Sequence, residues 1–225
     1  LVLALAPGGM AGDLELCDHD LRERICKTLG SHKTYLRVGF LHTSHGEKMR
    51  TLIAKGWSPS SHRMNAKISM TLNLKNDESQ LLKAMTSNWR HNLKRGQKNS
   101  LSVVRWENPS VDEVLKIYSS METFKGLGQQ HSADSLSAIF SDLKENIILL
   151  KCLDDGGRVI ALRGCIVFGK CAWDSFAAVD ELGRKKYASY LCLWTLLQEC
   201  RKRGIEIYDL MGVDPVSNPG VYSFK

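Results

Sequence analysis

The stretch from Ile147 to Leu210 constrains the fold more than any other part of the chain. Three apolar runs of strand length, residues 147–153, 159–168 and 171–178, follow one another across two short breaks. The breaks are Asp154-Asp155-Gly156-Gly157 and Gly169-Lys170, and their glycines admit the backbone angles that hairpin turns require. A helix is expected over 186–203, stopped by Gly204, and a further strand over 205–210. A meander followed by a helix and another strand needs a sheet covered by helices, which is an α+β architecture.

The remaining segments fit that frame. Strands are expected over 1–6, 35–40, 67–74 and 101–106. In the third of these Ile68, Met70, Leu72 and Leu74 alternate with Lys67, Ser69, Thr71 and Asn73, the pattern of a half-buried strand. Helices are expected over 14–29, 48–55, 111–121 and 135–143. A long helix is expected over 79–97, entered through Asn76-Asp77-Glu78. Its apolar stripe holds Leu81, Leu82, Met85, Trp89 and Leu93, and Arg90, Lys94 and Lys98 recur once per turn on the other face. Two domains are expected, 1–76 and 77–225. The chain opens on Leu1 inside an apolar run and stops at Lys225 after a patterned segment, and so reads as a piece of a longer protein.

Composition narrows the class. Apolar residues are 43% and charged residues 24%, which excludes a disordered tail, a coiled coil and a collagen-like fibre. No apolar run nears the roughly 18–20 residues of a membrane span, and no signal peptide is visible. Peripheral membrane contact stays open. Thirty-one Lys and Arg against twenty-four Asp and Glu give a net charge of +7. Placement matters more than the sum, because the segment from Lys83 to Arg105 holds six basic residues and no acidic one. The seven cysteines include no CxxC pair and several sit in apolar runs, so reduced, buried thiols in a cytoplasmic protein are expected. His42 and His45 lack acidic or thiol neighbours at metal spacing, and no metal site is expected.

The motif order resembles the FemABX family of aminoacyl-tRNA-dependent peptidyltransferases. Ala6-Pro7-Gly8-Gly9 resembles the family's strand and turn, and residues 52–57 (LIAKGW) the helix end before its second domain. Residues 85–98 (MTSNWRHNLKRGQK) resemble its basic helix. Residues 204–225 (GIEIYDLMGVDPVSNPGVYSFK) resemble its G-x-x-x-Y-D-x-x-G…N-P-G-x-x-x-F-K run, and this ordered set is the most specific match. Met211 stands where the family has a small residue. The resemblance implies two domains with the GNAT (Gcn5-related N-acetyltransferase) fold, the first incomplete and the second lacking its last strand. It also implies amide formation from aminoacyl-tRNA to an amine of a peptidoglycan precursor or another peptide acceptor, with no cofactor.

It further implies roles for single residues. Lys225 would meet the charge of the collapsing ester, and Phe224 would aim it. Asp209 and Asp214 would orient the amine or take its proton, although both positions also suit turn chemistry. Thr123 and Lys125 resemble a Thr-x-Arg pair that faces the precursor's phosphates, with Lys in place of Arg. Trp173 resembles an aromatic on the strand before the small-residue turn, and core packing explains it equally well. Alternation over 221–225 is expected to put Tyr222 and Phe224 on a packing face and Lys225 towards a cleft. Arg90, Lys94, Arg95 and Lys98, with Arg184, Lys185 and Lys186, would track the phosphates of tRNA, the alternative being a solvated face. Residues 183–188 occupy the place of a GNAT pyrophosphate loop but carry one glycine and two lysines, which disfavours acyl-CoA. An acyltransferase using acyl-CoA or a carrier protein and a non-catalytic RNA-binding module remain as alternatives.

Overall fold

The computed structural model describes residues 2–6, 19–38, 45–61 and 68–225. The chain divides into two units, Leu1–Ile68 and Ser69–Lys225. The expected turn at Pro7-Gly8-Gly9, the first residues of the helix over 14–29, Gly39-Phe40, His42, Lys67 and Cys17 lie outside the described residues.

In the first unit β1 (Val2–Ala6) pairs in parallel with β2 (Thr34–Val38). Helix α1 (His19–Thr28) joins them, as a parallel pair requires. Helix α2 (His45–Ala54) follows, and its Leu52 is buried.

The second unit is built on six strands. They are β3 (Ile68–Asn73), β4 (Ser102–Arg105), β5 (Ile147–Leu153), β6 (Val159–Phe168), β7 (Cys171–Val179) and β8 (Ile207–Val213). Their spatial order is β3-β8-β7-β6-β5-β4. The hairpin strands β5, β6 and β7 are antiparallel, as is β4 with β5, whereas β7 and β8 run parallel. Strand β3, expected in the first domain, is an edge strand of this sheet, so the division falls before residue 69 rather than after residue 76.

Both faces of the sheet are covered, so β5 reads as a continuous apolar run. Ile148 and Leu150 face helices α3 (Glu78–Ala84), α4 (Ser87–Lys98) and α8 (Ala188–Lys202), in a core with Trp89, Leu93, Leu197 and Tyr208. Ile147 and Leu149 face α5 (Val111–Lys125) and α6 (Ala133–Asp142), in a core with Val114, Tyr118, Leu136 and Phe176. A bulge sets Ser175 outside the register of β6 and β7, with Gly164 opposite Phe176 and Cys165 opposite Asp174. It changes the face that β7 presents: Ala172 lies in the first core, but Phe176 and Ala178 lie in the second. Gly164 is required beside it, because a Cβ there would come within 2.7 Å of the Ile148 carbonyl oxygen.

The helix expected over 79–97 is two helices. Met85 is extended, and the Thr86 hydroxyl accepts from the Trp89 N–H at 3.2 Å, starting a new helix inside the periodic stripe. The helix expected over 186–203 also gains a predecessor, α7 (Glu181–Lys185), capped by Asp180. Tyr187, at φ 60, separates the two. The described cysteines are free thiols, and Cys152, Cys165, Cys192 and Cys200 are buried. Among the described residues no helix is long and apolar enough to cross a membrane, and no group of His, Cys, Asp and Glu is placed to hold a metal.

Candidate active site

Strands β7 and β8 pair only over Cys171–Trp173 against Ile207–Asp209. Beyond that, β7 continues along β6 to Val179, while β8 bends at Met211. Met211 has φ 63, a left-handed conformation that costs a non-glycine residue about 1–2 kcal/mol. The Asp209 carboxylate offsets this by accepting the Met211 N–H at 2.7 Å, and it also accepts the Ser69 hydroxyl from β3. Just past the bend, the Gly212 carbonyl accepts from Lys225 Nζ at 3.1 Å.

Lys225 arrives there by a route that the sequence did not suggest. Residues 221–225 are not extended but lie in or just after helix α9 (Pro219–Phe224). Asn218 caps it, accepting from the Val221 N–H at 3.3 Å, and Pro219 supplies the fixed φ of a first helical turn. The two-face alternation expected for Tyr222, Phe224 and Lys225 is therefore lost. Tyr222 is exposed, whereas Phe224 packs edge-on to Tyr190 of α8 at 4.9 Å and lies 5.1 Å from the Arg163 guanidinium.

Under this corner lies a group of which the motifs held only Tyr208. Arg163 on β6 grips Asp174 on β7 with a two-pronged fork, its Nε donating to Oδ1 at 3.0 Å and its terminal nitrogen to Oδ2. The Tyr208 hydroxyl, from β8, donates to the same Oδ1 at 2.9 Å. The side chains of Arg163 and Asp174 are only 6% and 2% exposed. Burial alone would pull the Arg163 pKa down, but Asp174 and Tyr208 hold it above the ordinary value. Burial also draws Lys225 below an ordinary lysine, with Arg163 adding to the shift and Asp174 and Asp209 opposing it. A charged residue amid the apolar runs of β6 and β7 was the available signal, since buried charges are kept only when paired.

The other expected site residues are dispersed. Asp214 is exposed and accepts the N–H groups of Ser217 and Val216 at 2.8 and 2.9 Å, bonds that hold it below the usual carboxylate range and mark it as a turn residue. Trp173 is half-buried on β7, its ring 6.2 Å from Phe168. Thr123 and Lys125 sit at the end of α5, where Arg184 stacks on the intervening Phe124 at 3.6 Å. Partial desolvation, then the charge of Arg184, lowers the Lys125 pKa. Lys185 pairs with Glu181 at 2.7 Å, and Lys186 with Asp155 at 3.2 Å.

Of the basic stripe, Lys94, Arg95 and Lys98 are exposed, and Arg95 donates to the Tyr187 hydroxyl at 2.6 Å. Arg90 is a correction. Its guanidinium turns back onto the carbonyls of Leu82, Lys83 and Met85, serving the free end of α3 rather than the stripe. Arg90→Ala is expected to lower stability by about 1.5–3 kcal/mol, the range for hydrogen bonds to a charged group, as read by urea unfolding.

The segment at Gly183 is also filled by protein. Its N–H donates to Asp180 at 2.7 Å, and a Cβ on Gly183 would lie 2.5 Å from the Ile160 carbonyl oxygen. This glycine serves close packing of α7 on β6, so it offers no N–H to a pyrophosphate.

The solved structure of FemX superposes with a TM-score of 0.77 at 12% identity, over 91% of this chain and 70% of FemX. The C-terminal domain of an Agrobacterium fabrum protein described as a lysylphosphatidylglycerol synthetase gives a TM-score of 0.51 at 18% identity, over 69% of this chain and 49% of that one. No curated protein matches the chain. The fold is thus α+β, a GNAT-like mixed sheet flanked by helices, in the arrangement seen in FemX. The FemAB family model matches residues 129–225, the part that holds Arg163, Asp174, Tyr208 and the Phe224-Lys225 pair.

Proposed function

We propose that the protein is an aminoacyl-tRNA-dependent transferase. An amine of a peptide acceptor, a cell-wall precursor or a related peptide, attacks the ester carbonyl of aminoacyl-tRNA, and an amide replaces the ester. Aminolysis of an ester runs downhill, so the protein's task is positioning and charge stabilisation. The observation that carries this reading is Lys225, held on the Gly212 carbonyl where β7 and β8 part. Its ammonium would meet the oxyanion of the tetrahedral intermediate and hand a proton to the departing ribose oxygen. The proton released by the attacking amine then restores it. A lysine drawn below its ordinary pKa is the stronger acid for this step. The first unit, with its parallel pair, is read as part of a companion domain.

Lys94, Arg95 and Lys98 are the cations proposed to meet the tRNA backbone. Changing all three to Glu is expected to weaken tRNA binding and to flatten its salt dependence, each lost phosphate contact lowering the log–log slope by roughly 0.7–0.9. Arg90→Ala should leave that slope alone. An unchanged slope in the triple variant assigns the stripe to solvent.

The transfer itself is tested by incubating the protein with charged tRNA and candidate amine acceptors and following the amino acid into an amide. Treating the charged tRNA with RNase beforehand should abolish the product; a product formed equally well after RNase rejects the reading.

A further inference from the structure

We infer that Arg163, Asp174 and Tyr208 are positioning residues for Lys225, forming a buried charged bracket that fixes helix α9 against the sheet through Phe224. The inference deepens the transferase reading and rests on it for the chemistry, but not for the geometry.

The bracket uses three strands. Arg163 comes from β6, Asp174 from β7 just before the bulge, and Tyr208 from β8 within the short parallel pairing. The bulge matters because Asp174 then shares the face of Tyr208 and Arg163. The two hydrogen bonds from Arg163 and the one from Tyr208 all end on Asp174, so one carboxylate ties together the strands that diverge beyond it. Above it the guanidinium lies 5.1 Å from the Phe224 ring, whose edge contact with Tyr190 completes the seat. Lys225 follows Phe224 directly, so its reach to the Gly212 carbonyl depends on that seat.

The charges act on Lys225 as well as on its position. The charged groups that act on it are Asp174 from β7, Arg163 from β6 and Asp209 from β8. Tyr208 is bonded to Asp174, and Tyr190 of α8 lies beyond Phe224. Removing Asp174 should make the ammonium easier to deprotonate, and removing Arg163 should make it harder. A purely structural role would not separate the two changes by sign.

The test uses the full chain without any substrate. Brief acetylation across a pH series, with mass spectrometry of the Lys225 peptide, gives the midpoint at which the amine becomes reactive. In the unaltered protein that midpoint should lie below the ordinary lysine value of 10.5. Asp174→Asn should lower it further, and Arg163→Gln should raise it. Shifts of the same sign, or none, overturn the inference.

Either single change leaves a buried partner unpaired and can unfold the unit. The double variant Arg163→Met with Asp174→Leu removes both charges and is expected to fold, since apolar replacements of buried pairs are often tolerated. In it the amides of α9 should exchange with deuterium roughly thirtyfold faster, the effect of losing one desolvated cation–π contact, while those of α5 keep their protection. Unchanged exchange in α9 also overturns the inference. These readouts need no donor or acceptor. If they hold while no amino acid is transferred, the transferase reading fails and the positioning role stands; the converse result rejects the positioning role alone.

Discussion

Lys225→Met is expected to cut turnover by about 10²–10³, the loss typical of one preorganised donor at a developing oxyanion. Methionine keeps much of the stem's bulk and removes the ammonium, so the hydrogen bond to Gly212 goes while the Phe224 seat remains. Unfolding and tRNA binding should stay nearly unchanged. Lys225→Arg should restore part of the charge without its geometry. The pH profile gives a second reading. If the charged form is required, the rate falls on the alkaline side as Lys225 loses its proton, and the fall comes below the ordinary lysine value of 10.5 because burial draws it down. A wild-type rate in the Met variant removes Lys225 from the mechanism, and Asp209, bonded to Met211 and Ser69, becomes the next residue to test.

Asp174→Ala is expected to destabilise the second unit by about 3–5 kcal/mol, the range for removing one partner of a buried ion pair. The loss exceeds that of a surface bridge because Arg163 is left charged in a site where it is 6% exposed, and the Tyr208 hydroxyl loses its acceptor. Lys185→Ala, which breaks the exposed pair with Glu181, should cost far less, because solvent screens that pair. Urea unfolding of the two variants in parallel checks the difference. Equal stability would mean that the buried pair contributes no more than the exposed one.

The difference between local and long-range information explains which parts were legible in the sequence. Strands β5, β6 and β7 were readable because their apolar runs and turn glycines are local signals. The break between α3 and α4 was hidden because Trp89 and Leu93 continue the stripe of Leu81 and Leu82, while a single hydroxyl on Thr86 restarts the helix. Helix α9 was misread for a related reason: a five-residue alternation suits a strand, but Asn218-Pro219 is a helix start. Lys225 and Tyr208 were in the motif, yet Arg163 and Asp174 were not. Arg163, Asp174 and Tyr208 are separated along the chain and meet only through the sheet order and the bulge at Ser175. Arg90 was misassigned because helical spacing shows which face a residue takes, and not that its guanidinium turns back onto the carbonyls of Leu82 and Met85.

Donor choice tests the central claim most directly. A single-turnover reaction containing the protein and an amine acceptor, without ATP, would receive either aminoacyl-tRNA or acetyl-CoA, each labelled in the acyl group. The account predicts label in an amide product only from aminoacyl-tRNA, with one ester lost per amide formed, and a rate at least about a hundredfold lower in Lys225→Met. Label transferred from acetyl-CoA but not from aminoacyl-tRNA would contradict it.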